Sequence, residues 1–219
     1  GLSTIMMDIY ASFGRHEEAL KFHVRGSGRE GVSGIVRNNI LLKSFGTEDD
    51  AMGFFRSELE HGNVDIVSFN TLINLWAVST RPDRVKQAFE LFALLRGDSK
   101  CWKRGLRPNK ITFNSLYKVI DRSGGVFVQY ADPTLLKRVE ELLKELANFD
   151  DANLRPRAGH YNAVTLGWVS LGNPEKAAEI LELRIEASKR KAALKPDSSH
   201  FDNLVQAFQR TGDLYGATM

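Results

Sequence analysis

The sequence predicts an all-α fold of stacked antiparallel helix pairs, about six units long with the end units truncated. Three observations carry that prediction. A phrase of aromatic, then Asn or Asp, then apolar residues occurs four times: Ser68-Phe69-Asn70-Thr71-Leu72, Thr112-Phe113-Asn114-Ser115-Leu116, His160-Tyr161-Asn162-Ala163-Val164 and His200-Phe201-Asp202-Asn203-Leu204. The apolar positions after each aromatic keep one helical register. Each unit also closes on a similar phrase just before the next one opens.

The aromatics recur after 44, 48 and 40 residues, from 69 to 113, 161 and 201. A period in that range signals a repeat array, in which each unit buries its apolar face only against its neighbours. Such a chain works through an extended surface rather than a single pocket.

The first helix of each unit follows from its apolar stripe. Phe69, Leu72, Ile73 and Trp76 fall at i, i+3, i+4 and i+7, and so do Phe113, Leu116, Tyr117 and Ile120. Tyr161, Val164 and Trp168 repeat the pattern with Thr165 in the fourth slot, and Phe201, Leu204, Val205 and Phe208 repeat it again. This spacing lines one face of an α-helix, so the aromatics read as core residues.

Second helices begin at cap signals. Asn173 precedes Pro174 and Asp132 precedes Pro133, while Asp50 follows Thr47 by three residues in the manner of a capping box. Proline suits the first helical position because the N–H it lacks has no partner there. The buried stripes are Val85, Ala88, Phe89 and Phe92; Val139, Leu142, Leu143 and Leu146; and Ala177, Ile180 and Leu181. Small residues at Ala19, Ala51, Ala88 and Ala177 allow close helix approach.

Three units end in Leu106-Arg107-Pro108-Asn109, Leu154-Arg155-Pro156-Arg157 and Leu194-Lys195-Pro196-Asp197. Proline stops one helix from running into the next unit. Gly62-Asn63-Val64-Asp65 does the same without Pro. Two further hairpin turns, at Phe13 to Leu20 and Phe45 to Met52, add earlier units, the second with Ile35-Val36 where aromatic-Asn would stand. The chain is therefore read as one helical array over 1–219, with units at 1–31, 32–65, 66–109, 110–157, 158–197 and 198–219. It opens and stops inside helical patterns and reads as a piece of a longer protein.

Composition narrows the function. A net charge of +3 and a pI near 9.0 fit a polyanionic partner without requiring one. No apolar run approaches the roughly 18 residues of a membrane span. Cys101 is the single cysteine, which rules out an intrachain disulfide and a thiolate zinc site. The histidines (His16, His23, His61, His160 and His200) lack ligand spacing, and no Gly-rich phosphate loop follows a strand. The reading is no catalytic residue, metal, cofactor, small-molecule substrate or membrane partner within this segment. Lys100, Lys103, Arg104, Arg107 and Lys110 place five cations in eleven residues without an acid, and Lys189, Arg190, Lys191 and Lys195 form a second group. Both are candidate phosphate contacts or solvated turns.

Ile66-Val67-Ser68-Phe69-Asn70-Thr71-Leu72-Ile73, the Gly14 to Leu20 turn and the Leu194-Lys195-Pro196-Asp197 close together resemble the pentatricopeptide repeat family. The resemblance covers nearly the whole chain and is strongest from Asp65 onward. Units of 44, 48 and 40 residues exceed the family's length of about thirty-five, and the extra residues fall in Gly97–Lys103, Ser123–Tyr130 and around Ala187–Ala193.

Periodicity leaves the hand of the stack open; the resemblance implies a right-handed superhelix that binds single-stranded RNA, one base per repeat. It further implies that the residue after each aromatic and the last residue of each unit read a base. Those pairs are Asn70 with Asn109, Asn114 with Arg157 and Asn162 with Asp197, while Asp202 has its partner beyond the chain. Asn162 is read as pointing off the apolar stripe. Asn–Asp pairs go with uracil, Asn–Asn more loosely with pyrimidines, and Thr–Asp with guanine. Val67 and Ile111 are the implied wedges between bases, where Gly159 and Ser199 are poor ones. A mitochondrial or chloroplast setting and a role in RNA processing, stabilisation, editing or translation, alongside other RNA-processing proteins, follow from the resemblance alone. The alternatives are a protein-binding scaffold of tetratricopeptide type and a fragment of an RNA-processing enzyme whose catalytic domain lies elsewhere.

Overall fold

Regular structure is helical throughout the residues that the computed structural model describes, 2–26, 34–122 and 132–212. The helices are α1 (Leu2–Ser12), α2 (His16–Gly26), α3 (Gly34–Leu42), α4 (Glu48–Glu60), α5 (Ile66–Val78), α6 (Arg84–Gly97), α7 (Ser99–Lys103) and α8 (Lys110–Asp121). They continue with α9 (Pro133–Ala147), α10 (Ala158–Ser170), α11 (Pro174–Ser188) and α12 (Ser198–Thr211), and single 3-10 turns lie at Ala152–Leu154 and Ala192–Leu194. The expected insertion at Ser123–Tyr130, the junction at 31/32 and the end of the last unit at 213–219 lie outside the described residues.

The cap signals act as their chemistry requires. Thr47 Oγ1 accepts the Asp50 N–H at 3.1 Å, Asp132 Oδ1 accepts from Thr134 at 2.8 Å, and Asn173 Oδ1 accepts from Lys176 at 3.0 Å. Each satisfies a helix-start donor that would otherwise lack a partner, worth about 1 kcal/mol. Gly14 and Gly172 hold φ of 67° and 68° in matching hairpin turns, a left-handed conformation that favours glycine.

The chain divides into two compact units, Gly1–Leu116 and Tyr117–Met219, with the division inside α8. In the first, α1 pairs with α2 and α5 with α6, while the first helices α1, α3 and α5 stack in succession. The four expected small positions are all fully buried: Ala19, Ala51 and Ala88 here, and Ala177 in the second unit. Phe69, Leu72, Ile73 and Trp76 are buried as one stripe, with the Phe69 ring edge-on to Phe55 at 4.9 Å. Removing a side chain of this size from water stabilises by about 1.5–3 kcal/mol.

In the second unit, α10 pairs with α11, α9 packs on both, and α12 packs on α11. Tyr161 and Val164 are buried as expected, but Phe201 is 43% exposed. The stripe on α12 is closed only toward its C-terminal end, at Ala207 and Phe208. Of the expected insertions, Gly97–Lys103 holds the last residue of α6 and a separate short helix, α7, capped by Asp98. The residues around Ala187 extend α11 to 15 residues and then form a 3-10 turn.

Candidate nucleic-acid interface

Four expected unit ends, Asp65, Asn109, Arg157 and Asp197, each stand at the N-cap of a first helix. Asp65 Oδ1 accepts from the N–H of Val67 and Ser68 at 2.9 and 3.0 Å, and Ser68 Oγ accepts the Asp65 N–H at 3.1 Å. Asn109 and Thr112 repeat this, with Asn109 Oδ1 accepting from Ile111 and Thr112 at 3.0 and 3.1 Å. Two histidines stand at the same third-residue position: His160 Nδ1 accepts the Arg157 N–H at 3.0 Å, and His200 Nδ1 lies 3.3 Å from the Asp197 nitrogen and 2.7 Å from Asp197 Oδ1, to which it donates when that ring nitrogen carries the proton. The recurrence of His before an aromatic is thus a capping device.

The expected pair Asn70 and Asn109 meets. Asn70 Nδ2 donates to Asn109 Oδ1 at 3.2 Å, and Thr112 Oγ1 donates to Asn70 Oδ1 at 2.6 Å. One unit earlier the same arrangement recurs with residues the sequence reading passed over. Asn39 Nδ2 donates to Asp65 Oδ1 at 3.0 Å, and Ser68 Oγ donates to Asn39 Oδ1 at 2.5 Å.

That recurrence corrects the register of the second unit. Asn38-Asn39, not Ile35-Val36, stand where Phe69-Asn70 stand in the third. Asn38 replaces the ring with polar contacts: Nδ2 donates to Glu58 Oε2 at 2.6 Å and to the Asn63 carbonyl at 3.2 Å, and Oδ1 faces His23 Nε2 at 2.8 Å. Helix α3 runs only to Leu42, three residues past Asn39, whereas α5 continues to Val78, eight past Asn70. Counting back from the Gly46 turn therefore lands too early. The signal available in sequence was the cap, Asp65 with Ser68, read together with an Asn 26 residues before Asp65.

Val36, Val67 and Ile111 each lie three residues before the corresponding Asn and are 46%, 46% and 60% exposed. Three branched apolar side chains thus recur at one register position within the first compact unit. The next position is Gly159, where a Cβ would stand 2.9 Å from Asp121 Oδ1. Ser199 holds the position after that, exposed, with its Oγ donating to Asp197 Oδ1 at 2.5 Å.

Asn162 is held differently. Arg184 Nη1 donates to its Oδ1 at 2.5 Å, while Arg184 Nε donates to the Leu194 carbonyl at 2.7 Å. Arg184 is buried, and burial pulls its guanidinium below the ordinary value while the charge of Asp197 raises it. The half-buried Asn162 side chain is thus tied to α11 through Arg184. Asp197 caps α12, and hydrogen bonds from Ser199 and then His200 hold its carboxyl below the usual range. Asn114 is half-buried on α8 in the first unit, Arg157 is exposed at the start of α10 in the second, and Asp202 is exposed on α12.

The basic cluster splits by environment. Lys100, Lys103 and Lys110 are exposed. Arg104 Nη2 donates to the Val64 carbonyl, and the Arg107 guanidinium lies 3.2 Å over the Trp102 ring, which is itself 61% exposed. These two arginines brace the α7 turn and present a cation stacked on an aromatic surface.

Among the described titratable groups of the second unit, His160 is the most enclosed. Its ring stacks on Tyr117 at 4.0 Å, and Nε2 lies 3.1 Å from Asp121 Oδ1. Because Nδ1 accepts a backbone N–H, the neutral tautomer carries its proton on Nε2. Burial pushes its pKa down, opposed by the Asp121 carboxylate. The remaining histidines also have local partners: His16 with Ser44 Oγ, His23 with Asn38, and His61 with the Ser57 carbonyl.

These features define a helical-hairpin repeat protein in which α5, α8, α10 and α12 begin at paired polar caps. A pentatricopeptide repeat model ("PPR repeat") matches residues 3–25, the span of the α1/α2 hairpin. A pentatricopeptide repeat-containing protein of Arabidopsis thaliana is 23% identical over 171 residues, which is 78% of this chain and 25% of the relative. The chain thus spans about a quarter of that relative's length. The pentatricopeptide repeat protein PPR10 from maize aligns with a TM-score of 0.49 and 20% identity, covering 98% of this chain and 28% of its own. The PPR domain of Arabidopsis thaliana protein-only RNase P 1, solved in complex with tRNA, aligns with a TM-score of 0.44 and 15% identity, covering 97% and 81%. The chain resembles the pentatricopeptide repeat family.

Proposed function

We propose that this chain is a sequence-selective RNA-binding repeat segment that holds single-stranded RNA along its first helices. The observation that carries the reading is the row Val36, Val67 and Ile111, exposed apolar residues in register with the amide–cap pairs Asn39/Asp65 and Asn70/Asn109. A planar base suits such a row: branched side chains separate its faces from its neighbours, and the amide pair meets its edge. An Asn side chain keeps a second amide hydrogen and a second carbonyl lone pair after one bond at each end, so Asn39 and Asn70, which are 7% and 6% exposed, can meet a base only through the small edge they leave open.

The division into units is part of this proposal, with Asn39/Asp65 added to Asn70/Asn109, Asn114/Arg157 and Asn162/Asp197. Lys100, Lys103 and Lys110 supply phosphate contacts, and Arg104 and Arg107 contribute field while bracing α7. Occupying an RNA segment would block nucleases or prevent pairing, which suits processing, stabilisation, editing or translation in a mitochondrion or chloroplast. Support for that setting is the family resemblance.

Filter binding with labelled RNA homopolymers tests the reading. Poly(U) should bind more tightly than poly(A) or poly(G), and replacing Val67 and Ile111 by Ser should weaken poly(U). Equal, salt-labile binding of all homopolymers, unaltered by these changes, would instead favour a protein-binding scaffold.

A further inference from the structure

Beyond RNA reading, the second compact unit carries a cavity of about 330 Å³, between the ends of α9 and α11 and the two 3-10 turns that follow them. Its size falls at the lower end of small-ligand sites, about 300–1,000 Å³. Arg155, Arg190 and Lys191 line it together with the apolar surfaces of Pro156 and Leu194, and no carboxylate among the described residues does. Two of the cations are braced by the protein: Arg155 Nε donates to the Phe149 carbonyl at 2.7 Å, and Arg190 Nη1 donates to Asn148 Oδ1 at 3.0 Å. Each brace leaves most of the guanidinium donors available.

The second observation is Tyr161. It lines the same cavity and is 1% exposed, and its hydroxyl has no hydrogen-bond partner among the described residues. A buried hydroxyl without a partner costs about 1–3 kcal/mol, so a polar group brought to it gains unusually much. Burial pushes the phenol's pKa up, so it stays a neutral donor at physiological pH. Three cations and an O–H donor suit a doubly charged, multi-oxygen anion, and Arg forks match phosphate oxygens in pairs. The apolar wall suits a small ring.

We infer that this cavity binds a phosphate monoester carrying a small ring, with Arg155, Arg190 and Lys191 on the phosphate and Tyr161 Oη donating to a ligand oxygen. A free mononucleotide and the phosphorylated end of an RNA share this chemistry. The site uses residues outside the amide–cap pairs, so it stands or falls independently of base reading.

Calorimetric titration of the purified chain with uridine 5′-monophosphate, uridine and inorganic phosphate is the test. The monophosphate should saturate one site, with uridine and inorganic phosphate each weaker by about tenfold or more, the factor of roughly one charge-assisted bond. The double change Arg190→Gln and Lys191→Gln should cost about tenfold on the same ground. Tyr161→Phe should weaken binding severalfold while the thermal midpoint holds or rises, because the hydroxyl removed has no partner to lose. Competition by a 5′-phosphorylated RNA octamer, but not its 5′-hydroxyl form, would support an RNA end as the ligand. Failure of both octamers with the monophosphate still bound would support a free ligand. No saturable binding of the monophosphate, equal affinity for inorganic phosphate, or affinity unchanged in both variants would overturn the inference.

Discussion

Arg184, buried on α11, donates to Asn162 Oδ1 at 2.5 Å and so ties a candidate base-reading residue to its own second helix. The same guanidinium holds the Leu194 carbonyl, which fixes the closing phrase of the unit. Since a guanidinium only donates, the Asn162 carbonyl must face Arg184, and its NH₂ remains for a ligand.

Arg184→Met should therefore be costly, because it leaves the buried Leu194 carbonyl and the half-buried Asn162 carbonyl without a donor. We expect a loss of about 2–3 kcal/mol, the range for hydrogen bonds to charged groups. Urea unfolding should show a lower midpoint at unchanged slope. Asn162→Thr shortens the acceptor and should cost about 1–2 kcal/mol, so base choice is better tested elsewhere in the chain. An unchanged midpoint in Arg184→Met would mean that the clamp contributes nothing to the folded state.

Asn39 and Asn70, buried in the two cap pairs at 7% and 6% exposure, give a second place for that test. With Asn39/Asp65 included, the expected preference is uracil–pyrimidine–any–uracil from the amino-terminal side, with the RNA 5′ end toward the chain's amino terminus. RNAs varied only at the first position should favour uracil over guanine, and Asn39→Thr should move that one position toward guanine. One good base-edge pair is worth about 1–3 kcal/mol by analogy with DNA readout. The same rank order of bases in parent and variant would remove Asn39 from the reading row.

Much of this architecture was legible in the sequence because repeated stripes and caps are local. Phe69 to Trp76 and the Asn173-Pro174 start need only helical periodicity and an unpaired N–H to be recognised. Asn39 escaped because its match depends on a hydrogen bond to Asp65, 26 residues away, and because a polar Asn38 fills the aromatic slot. Arg184 escaped for a related reason. A cation among Leu183, Ile185 and Glu186 looks like a solvated helix face until its carbonyl partners across the turn are known. Phe201 shows the opposite failure: the stripe is present in α12, yet burial needs a neighbour on that face.

Lys100 and Lys103 are exposed without a bracing role, unlike Arg104, which donates to the Val64 carbonyl. Replacing the two lysines by Ala should weaken all RNAs alike, because phosphates carry no sequence information. For single strands each lost phosphate contact lowers the slope of log affinity against log salt by about 0.7, so the pair should lower it by about 1.4. A slope equal to the parent's would mark both lysines as solvated turn. Adding Arg104→Ala should also lower stability, which separates its two effects.

His160 sets the last prediction. Burial against Tyr117 pushes its folded pKa below the ordinary 6.5, so the folded chain resists taking up a proton that the unfolded chain accepts. Between the lowered folded value and 6.5 the unfolded state binds more protons, so stability rises with pH across that window. Below the folded value the penalty is complete and constant; above 6.5 it vanishes. His160→Ser keeps an acceptor for the Arg157 N–H, as Ser68 does for Asp65, but removes the titrating ring. The variant should be less stable at pH 7.5, losing a stacked pair worth about 0.5–1.5 kcal/mol. Its loss of stability on going from pH 7.5 to 5.0 should nevertheless be smaller than the parent's. Urea unfolding free energies at several pH values measure both slopes, and identical slopes would show that His160 stays uncoupled from folding.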